Sequence, residues 1–497
     1  MAKKRLQEIR KIRLERVEKL RELGIEPYPG KVKDKEEVKV VRKQMGKTVS
    51  VAGRLWSIRE HGNCCFADLK DETGAIQLFF QKKIIKEQFK LVKLLDIGDF
   101  IWVKGKVIKT KSGEVTIDII EFELLAKSIR PLPSTWHGLK DVEERYRKRY
   151  LDTLLNPEVK KRFEIRADII TSIREFLDKR GYVEVETPTL QPVYGGGLAK
   201  PFKTHHNVLD ADLYLRISDE MYLKRLIIGG FEKVYEITKV FRNEGVDFDH
   251  NPEFTMFEAM TAYEDYEYGM DIIEEIIEYA AKKTLGTTEF EFQGTKMSVK
   301  RPWKRYKYVE AIKEIAGIDP MSWKTLEEAK NAAKKLEIRE DKLGELKKMK
   351  SIGEVIAFVF EEAVEEKLVQ PTIIYDYPVE ISPLAKKCED PRFTQRFEMF
   401  AFGSELGNNY TELNDPVDLK KRFIEEKKRE EAGFEEAHQT DDDYLEAIEY
   451  GFPPTCGIAI GVDRLVMLFT DARNIKEIIA FPTLRPKVKV KKKKKKK

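Results

Sequence analysis

Residues 241–258 read Phe-Arg-Asn-Glu-Gly-Val-Asp-Phe-Asp-His-Asn-Pro-Glu-Phe-Thr-Met-Phe-Glu, and this stretch decides the fold. Residues 233–242, which lead into it, alternate and are rich in β-branched and aromatic side chains, so they predict a strand. Residues 254–258 predict a second strand. The loop between them contains Gly245 and an Asn-Pro pair, both typical of turns. The segment therefore predicts a long-looped antiparallel hairpin.

The hairpin carries side chains that suit a nucleotide. Arg242 supplies a planar fork for phosphate or carboxylate, and His250 and Asn251 can reach phosphate from the loop. Side chains two residues apart share one face of a strand. This spacing places an aromatic ring and a carboxylate in one pocket, through Phe254, Met256, Glu258 and Met260.

The alternative is a solvated hairpin in which Arg242 and Glu258 pair with each other. The order Arg-Asn-Glu-Gly, then His-Asn-Pro-Glu-Phe-Thr, then Glu is more specific than that alternative requires. It resembles motif 2 of the class II aminoacyl-tRNA synthetases, and among them the lysyl-tRNA synthetases.

Two further segments extend this resemblance. Residues 176–190 combine a helix end, a stop at Gly181, an alternating strand and Pro188, which suits an edge or an interface; they are similar to motif 1, the dimerisation element. Residues 457–469 predict a strand, a turn and a helix with Arg464 in its first turn, similar to motif 3. An arginine beside a helix N-terminus suits polyphosphate. Gly-x-Asp-Arg alone is more often an ordinary helix start, but three motifs in the family order argue against that interpretation.

Composition fits a multidomain enzyme. The chain has 497 residues, 41% of them apolar, and its formal net charge is +5; this length suggests about three domains. The first fifty residues carry about twice as many basic as acidic side chains, and residues 487–497 are almost pure lysine. Such blocks attract polyanions, so the tail is interpreted either as a tRNA-capturing element or as a solubilising one.

Neither a membrane anchor nor a disulfide framework is predicted. No apolar run approaches the roughly 18 residues that span a bilayer, and the N-terminus lacks the apolar core of a signal peptide, which favours a cytoplasmic protein. Cys64 and Cys65 would point to opposite faces of a strand, and Cys388 and Cys456 are distant in sequence. The cysteines therefore indicate neither zinc binding nor disulfides.

Five short alternating segments between residues 48 and 126, punctuated by glycines, predict a small barrel of the OB type. Such barrels commonly bind single-stranded nucleic acid by aromatic stacking, although small barrels also have other functions. The resemblance implies an anticodon-binding domain in which Phe66, Gln77 and Glu121 read the central anticodon base.

The predicted division of the chain is a basic N-terminal helical extension, the OB domain, a linker, a catalytic domain and a lysine-rich tail. Lysine- and glutamate-rich helices resemble the family's helical insertion, in which we predict no chemistry. The boundaries are 1–47 for the extension, 48–126 for the barrel, 127–160 for the linker, 161–486 for the catalytic domain with its insertion at about 285–367, and 487–497 for the tail.

Carboxylates indicate the substrate. Glu398 and Glu405 flank a Gly-Ser turn and would suit Mg²⁺; the alternative is two exposed acids on a hairpin. A second group of side chains makes an acidic pocket, which would select a cationic side chain, whereas an aspartate-specific relative would need a basic residue there. Its members are Glu220, Glu258, Asn408, Tyr410 and Glu412.

The resemblance implies a role for each site residue. Lysine would be held at its α-amino group by Gly196 and Glu220, at its carboxylate by Arg242, and along its side chain by Glu258, Met260, Asn408, Tyr410 and Glu412. ATP would be held by Arg242, Glu244, His250, Asn251, Phe254, Glu398 and Arg464, with Phe254 on adenine, Glu398 and Glu405 on Mg²⁺, and Arg242 and Arg464 as the catalytic residues.

Met260 departs from the family pattern, which usually has a tyrosine there. A thioether can pack against the aliphatic stem of lysine, but it is a poor acceptor for an ammonium. We therefore expect lysine specificity with weaker discrimination against cationic analogues.

The predicted protein is an α+β homodimer, with a class II antiparallel sheet flanked by helices and an N-terminal OB-type barrel. It would form lysyl-adenylate from lysine and ATP and then charge tRNA(Lys). An aspartyl- or asparaginyl-tRNA synthetase would share the motifs but not the acidic pocket, and a lysine ligase acting on a protein would lack the barrel. A non-catalytic tRNA-binding paralogue would be expected to lose Arg242, Glu398 or Arg464.

Overall fold

A computed structural model describes residues 2–133, 139, 141–197, 199–336, 340–431 and 440–487. The chain divides into two compact units, Met1–Gly138 and Leu139–Lys497. The predicted tail lies outside the described residues from position 488 onward.

The first unit is built around a closed five-stranded barrel, as predicted. Its strands are β1 (Thr48–His61), β2 (Cys64–Lys70), β3 (Ala75–Gln81), β4 (Phe100–Lys109) and β5 (Val115–Ala126), joined in the order β1-β2-β3-β5-β4. Side chains of β2 alternate between buried and partly exposed along its length, so every second residue fills the barrel. The helices of this unit are α1 (Ala2–Glu22), α2 (Val38–Val41), α3 (Lys82–Ile85) and α4 (Phe89–Val92).

The second unit is organised by an eight-stranded, mainly antiparallel sheet. Its strands are β6 (Val183–Glu184), β10 (Lys233–Phe241), β11 (Glu253–Ala262), β14 (Lys304–Lys307), β15 (Thr372–Pro378), β16 (Phe393–Ala401), β17 (Ser404–Thr411) and β18 (Thr455–Gly461). The order across the sheet is β14-β15-β16-β17-β18-β11-β10-β6. The predicted hairpin is therefore the β10–β11 pair, and it lies next to the strand of the third motif.

Smaller strand groups and helices surround this sheet. A three-stranded sheet contains β7 (Leu190–Gln191), β8 (Lys203–His206) and β9 (Ala211–Leu215), and a hairpin contains β12 (Glu289–Phe292) and β13 (Thr295–Ser298). The helices are α5 (Val142–Arg147), α6 (Arg149–Leu155), α7 (Pro157–Asp178), α8 (Glu220–Ile228), α9 (Tyr266–Thr284), α10 (Tyr308–Ala316), α11 (Leu326–Ala333), α12 (Glu340–Lys348), α13 (Ile352–Ala363), α14 (Pro416–Glu431), α15 (Asp442–Glu449) and α16 (Val462–Phe469).

Helices cover the sheet on both faces. Phe257 and Ala259 of β11 point into a core shared with α7, α9 and α16, whereas Met260 belongs to a second core with α8 and α15. The functional cavity opens on the Met260 side. No helix within the described residues is long and apolar enough to cross a membrane.

Two segments differ from the sequence prediction. The alternating stretch after Gly181 forms only the two-residue strand β6, paired in parallel with β10, and Pro188 follows before β7 begins; proline cannot donate to a ladder. The insertion is not purely helical either. It includes the β12–β13 hairpin and β14, which is the edge strand of the main sheet.

Candidate active site

A cavity of about 360 Å³ lies on one face of the main sheet. Every residue predicted to bind lysine, ATP or the metal lines it. These are Gly196, Glu220, Arg242, Glu244, His250, Asn251, Phe254, Glu258, Met260, Glu398, Glu405, Asn408, Tyr410, Glu412 and Arg464.

β11 forms the floor of the cavity through the alternation that the sequence predicts. Phe254, Met256, Glu258 and Met260 all line it. Because β11 is hydrogen-bonded to β10 on one side and to β18 on the other, this floor is rigid.

The closed end of the cavity is acidic. Glu258 is 4% exposed and accepts a hydrogen bond from the Ser218 hydroxyl at 2.9 Å. Burial raises the pKa of Glu258 to about 7, and the neighbouring Glu220 adds to the rise. Glu412 is fully buried, and its Oε1 has no hydrogen-bond partner among the described residues. The carboxylates of Glu220, Glu258 and Glu412 line the cavity here, so this end suits a cation.

Gly196 brings the backbone against this acidic end. Its φ is 81°, which favours glycine, and a Cβ there would lie 2.6 Å from Ser218 Oγ and 3.1 Å from Glu220 Cβ. No other residue type would fit without moving Ser218.

Arg242 and Phe254 make a cation–π pair. The Arg242 guanidinium carbon lies 5.2 Å from the centre of the Phe254 ring. The Nε of Arg242 is buried, with no partner in the described part of the chain. A flat base or an anion bound here would meet both an aromatic face and a cation.

Arg464 is held at the start of α16 and reaches toward β17. Its Nη1 donates to the Glu405 carbonyl at 2.6 Å. The preceding residue, Asp463, accepts from the Thr255 backbone N–H at 2.9 Å and from Arg166 of α7. The start of α16 is thereby fixed to β11 and α7. Arg166 was not predicted from the sequence, since nothing in its spacing relates it to the motifs.

Arg396 is a second residue missed by the sequence analysis. Its Nη2 donates to Glu398 Oε1 at 2.5 Å, and its Nε donates to Asn408 Oδ1 at 2.9 Å. Tyr377 donates to the other oxygen of Glu398 at 2.8 Å. Arg396 precedes Glu398 by two residues on β16, so the period of two could have placed both on one face.

The predicted metal pair has a third carboxylate nearby, contributed by the insertion. Burial raises the pKa of Glu365 to about 7, and Glu398 and Glu405 add to that rise. Within the described chain, no group of three or more His, Cys, Asp or Glu residues is arranged to hold a metal ion, and the four cysteines are free.

Two polar side chains of the β10–β11 loop make hydrogen bonds to neighbouring residues. The His250 imidazole contacts Asp247 at 2.9 Å. Asn251 is 5% exposed and donates from Nδ2 to the Glu253 carbonyl at 2.6 Å. Asn251 therefore orders the loop, and its proposed contact with ATP stays a prediction.

The predicted anticodon residues lie on three strands of the barrel in the first unit. Phe66 of β2 stacks on Phe79 of β3, with ring centres 4.4 Å apart. Gln77 accepts a hydrogen bond from Thr116 at 2.9 Å, and Glu121 is paired with Lys33 at 2.7 Å. All three predicted side chains remain partly exposed.

Family comparisons cover both units. Residues 141–485 match a family described as tRNA synthetases class II (D, K and N), and residues 49–132 match an OB-fold nucleic acid binding domain. The chain is 49% identical over 494 residues to the lysine–tRNA ligase of Carboxydothermus hydrogenoformans, which covers 98% of this chain and 100% of the relative. It is 51% identical to that of Thermoanaerobacter pseudethanolicus, with 97% of each chain covered, and 50% identical to that of Moorella thermoacetica, with 96% and 97% covered. The chain therefore belongs to the class II aminoacyl-tRNA synthetases, within the lysine–tRNA ligase family.

Proposed function

We propose that the cavity binds lysine at its acidic end and ATP between Phe254, Arg242 and Arg464, and that it joins them as lysyl-adenylate. The chain is a lysine–tRNA ligase, whose substrates are lysine, ATP and tRNA. The proposal concerns which side chains hold which part of each substrate.

One observation carries the lysine assignment. Glu412 is fully buried and has an oxygen without a partner, at the end of the cavity where Glu220 and Glu258 also lie. A buried carboxylate oxygen without a hydrogen-bond partner is costly, and the ammonium of a bound lysine would remove that cost. Asn408 and Tyr410 lie beside it on the same face of β17.

Adenylate formation needs positioning rather than acid–base chemistry. The lysine carboxylate is ionised at neutral pH and attacks the α-phosphorus of ATP, while the bond to pyrophosphate breaks. Arg242 and Arg464 would stabilise the charge that develops on the phosphate oxygens. In the second step a hydroxyl of the terminal tRNA ribose attacks the lysyl carbonyl, the bond to the phosphate oxygen breaks, and AMP leaves with the bonding electron pair and takes up the hydroxyl proton.

We further propose that Glu398 and Glu405 hold Mg²⁺. Mg²⁺ keeps several waters and usually takes one or two carboxylates together with substrate phosphates, so this pair fits without a third protein ligand. Arg396 and Tyr377 fix the Glu398 carboxylate in place. When bound, the ion would offset charge on the phosphate oxygens.

The acidic end also distinguishes lysine from the other substrates of the matched family. An aspartate-specific enzyme would need a basic group where this chain has Glu258 and Glu412, and the neutral side chain of asparagine would leave these carboxylates uncompensated. A non-catalytic paralogue is not favoured either, because Arg242, Glu398 and Arg464 are all present in the cavity.

Replacing Glu412 tests the lysine assignment. Glu412→Gln keeps the shape but removes the charge, so the KM for lysine should rise about 50-fold while the KM for ATP changes little. Pyrophosphate exchange with lysine measures the loss of lysine affinity. The same assay with the uncharged analogue norleucine measures how far the preference for lysine over norleucine has fallen. Glu446→Gln, an exposed acid on α15, is the matched control. A normal lysine KM in Glu412→Gln would remove this residue from the pocket.

We assign anticodon reading to the barrel, with Phe66 as a stacking platform for one base. Phe66→Ala should lower tRNA charging about tenfold, because one base stack contributes roughly 1–3 kcal/mol. Amino-acid activation should be unchanged, since Phe66 lies in the first unit. Charging and pyrophosphate exchange are measured on the same preparation; an equal loss in both would indicate misfolding instead.

Three broader assignments complete the proposal. The chain would act in the cytoplasm, where its tRNA is charged, and the lysine-rich tail would add to tRNA attraction at low salt. It would form a homodimer through the motif 1 segment, whose Val183 and Leu190 are each 45% exposed. Sedimentation equilibrium should then give twice the mass of the chain, and a monomer would contradict the dimer.

A further inference from the structure

Lys224 is a lysine buried behind the acidic wall of the cavity. Its side chain is 1% exposed, and its ammonium contacts Glu220 and lies 2.5 Å from Glu412 Oε2. The rings of Tyr410 and Tyr444 face the same ammonium, with centres 5.2 and 6.0 Å away. Lys224 does not itself line the cavity, unlike Glu220, Glu412 and Tyr410.

The position of Lys224 follows from helix geometry. It lies four residues after Glu220 on α8, which places both side chains on one face of the helix. Glu412 directly follows β17, so the ammonium ties α8 to the end of that strand. The ammonium is ion-paired with Glu412 Oε2, and neither oxygen of Glu412 has a hydrogen-bond partner among the described residues.

The charges around the substrate balance only when Lys224 is included. Free lysine carries two ammonium groups and one carboxylate. The residues proposed to hold lysine include three carboxylates, Glu220, Glu258 and Glu412, and one cation, Arg242. Lys224 supplies the second cation, so the excess of one negative charge matches the excess of one positive charge on the substrate. Without it, one buried carboxylate would be uncompensated and would take up a proton.

We propose that Lys224 is a positioning and specificity-determining residue, a buried cation that compensates the charge of Glu220 and Glu412 and fixes both carboxylates where the two substrate ammonium groups would meet them. The inference rests on the lysine site proposed above.

The electrostatic environment supports this role. Burial alone would lower the pKa of Lys224, but Glu220 and Glu412 outweigh burial and hold the pKa above its usual value. Burial holds the pKa of Glu412 well above its usual value, and the Lys224 ammonium opposes part of that rise. Removing Lys224 would therefore let the pKa of Glu412 climb further.

Other titratable groups face this cluster from every neighbouring element. Burial raises the pKa of Asp219 well above its usual value, and the negative charge of Glu258 is the second-largest cause of this rise. The neutral form of Asp219 is therefore favoured. The groups are Asp219, Glu220 and Arg225 from α8, Arg242 and Glu258 from the hairpin, Tyr410 and Glu412 from β17 and its end, Tyr444 from α15 and Cys456 from β18.

The test is Lys224→Met in the full-length protein. With the cation gone, Glu412 should retain a proton at neutral pH, and lysine must displace it. Calorimetric lysine binding in two buffers of different ionisation enthalpy should then show about one more proton released per lysine than in the parent. In pyrophosphate exchange at about pH 7, the lysine KM should rise about 100-fold, and further as the pH falls, with the ATP KM within about threefold of the parent.

Two comparison variants sharpen the result. Lys224→Arg keeps the charge and should keep the parent's proton release. Lys313→Met removes an exposed ion pair with Asp319 next to α10, and it should leave the lysine KM unchanged. If Lys224→Met does not fold, Lys224→Gln retains a donor without charge and is expected to show the same extra proton.

An unchanged proton count overturns the role, and so does an equal loss of lysine and ATP affinity, which would indicate a structural ion pair only. Failure of the proposed lysine site itself would give a different result, because Glu412→Gln would then bind lysine normally. If Glu412→Gln weakens lysine binding but Lys224→Met does not, only the role of Lys224 is rejected.

Discussion

Arg464→Ala should reduce lysine-dependent pyrophosphate exchange by on the order of 10³-fold, the usual effect of removing a preorganised cation from a phosphoryl-transfer site. The reason lies in how Arg464 is held. Its guanidinium is hydrogen-bonded to the Glu405 carbonyl, and Asp463 fixes the start of α16 to β11. Such a cation is in place before charge develops on the phosphate, so little reorganisation is needed.

A loss of catalytic rate in Arg464→Ala can be distinguished from a loss of folding. Circular dichroism and thermal unfolding should match the parent, because Arg464 is partly exposed and is not part of a core. Arg473→Ala, on the exposed segment that follows α16, is the control and should exchange normally. Exchange near the parent rate in Arg464→Ala would show that this arginine does not contact the phosphates.

Gly457→Ala should raise the lysine KM by on the order of 10³-fold, because it disturbs the pocket in two ways. A Cβ at position 457 would lie 2.1 Å from Glu412 Oε1 and 3.1 Å from Met260 Sδ. The carboxylate would have to turn away from the cavity, which removes a charge-assisted contact, and the added methyl overfills the pocket. Both losses fall on lysine and neither on ATP.

Steady-state pyrophosphate exchange at varied lysine and at varied ATP concentration gives the two KM values whose changes are compared. The ATP KM should stay within about threefold of the parent. Gly344→Ala is the matched control, since a Cβ there would have no neighbour within 4 Å. A Gly457→Ala enzyme with parent-like lysine KM would contradict the placement of the lysine side chain against Glu412.

The sequence predicts most of the site because most of it is local. Phe254, Glu258 and Met260 lie on one strand, where the period of two orients them. Glu412 follows Tyr410 by the same spacing on β17, and both line the cavity. The barrel was predictable for the same reason, since each strand carries its own alternation.

Contacts between distant segments could not be predicted in this way. Lys224 meets Glu412 across the fold, and Arg166 meets Asp463; neither pair has a spacing that a sequence pattern can show. The short strand after Gly181 was overestimated, because the alternation was visible but the absence of a second partner strand was not. Gly457 was noted only as part of a motif, and its closeness to Glu412 emerges from strand packing.

Arg396 joins the two proposed halves of the site, because one guanidinium donates both to Glu398, proposed to serve the nucleotide, and to Asn408, proposed to serve the amino acid. A movement of Glu398 on nucleotide binding would then reach the lysine pocket through Arg396, and the reverse would hold as well. Binding energies linked in this manner are reciprocal. If bound nucleotide changes the affinity for lysine by some factor, bound lysine changes the affinity for nucleotide by the same factor. The two substrates are therefore expected to bind cooperatively rather than independently.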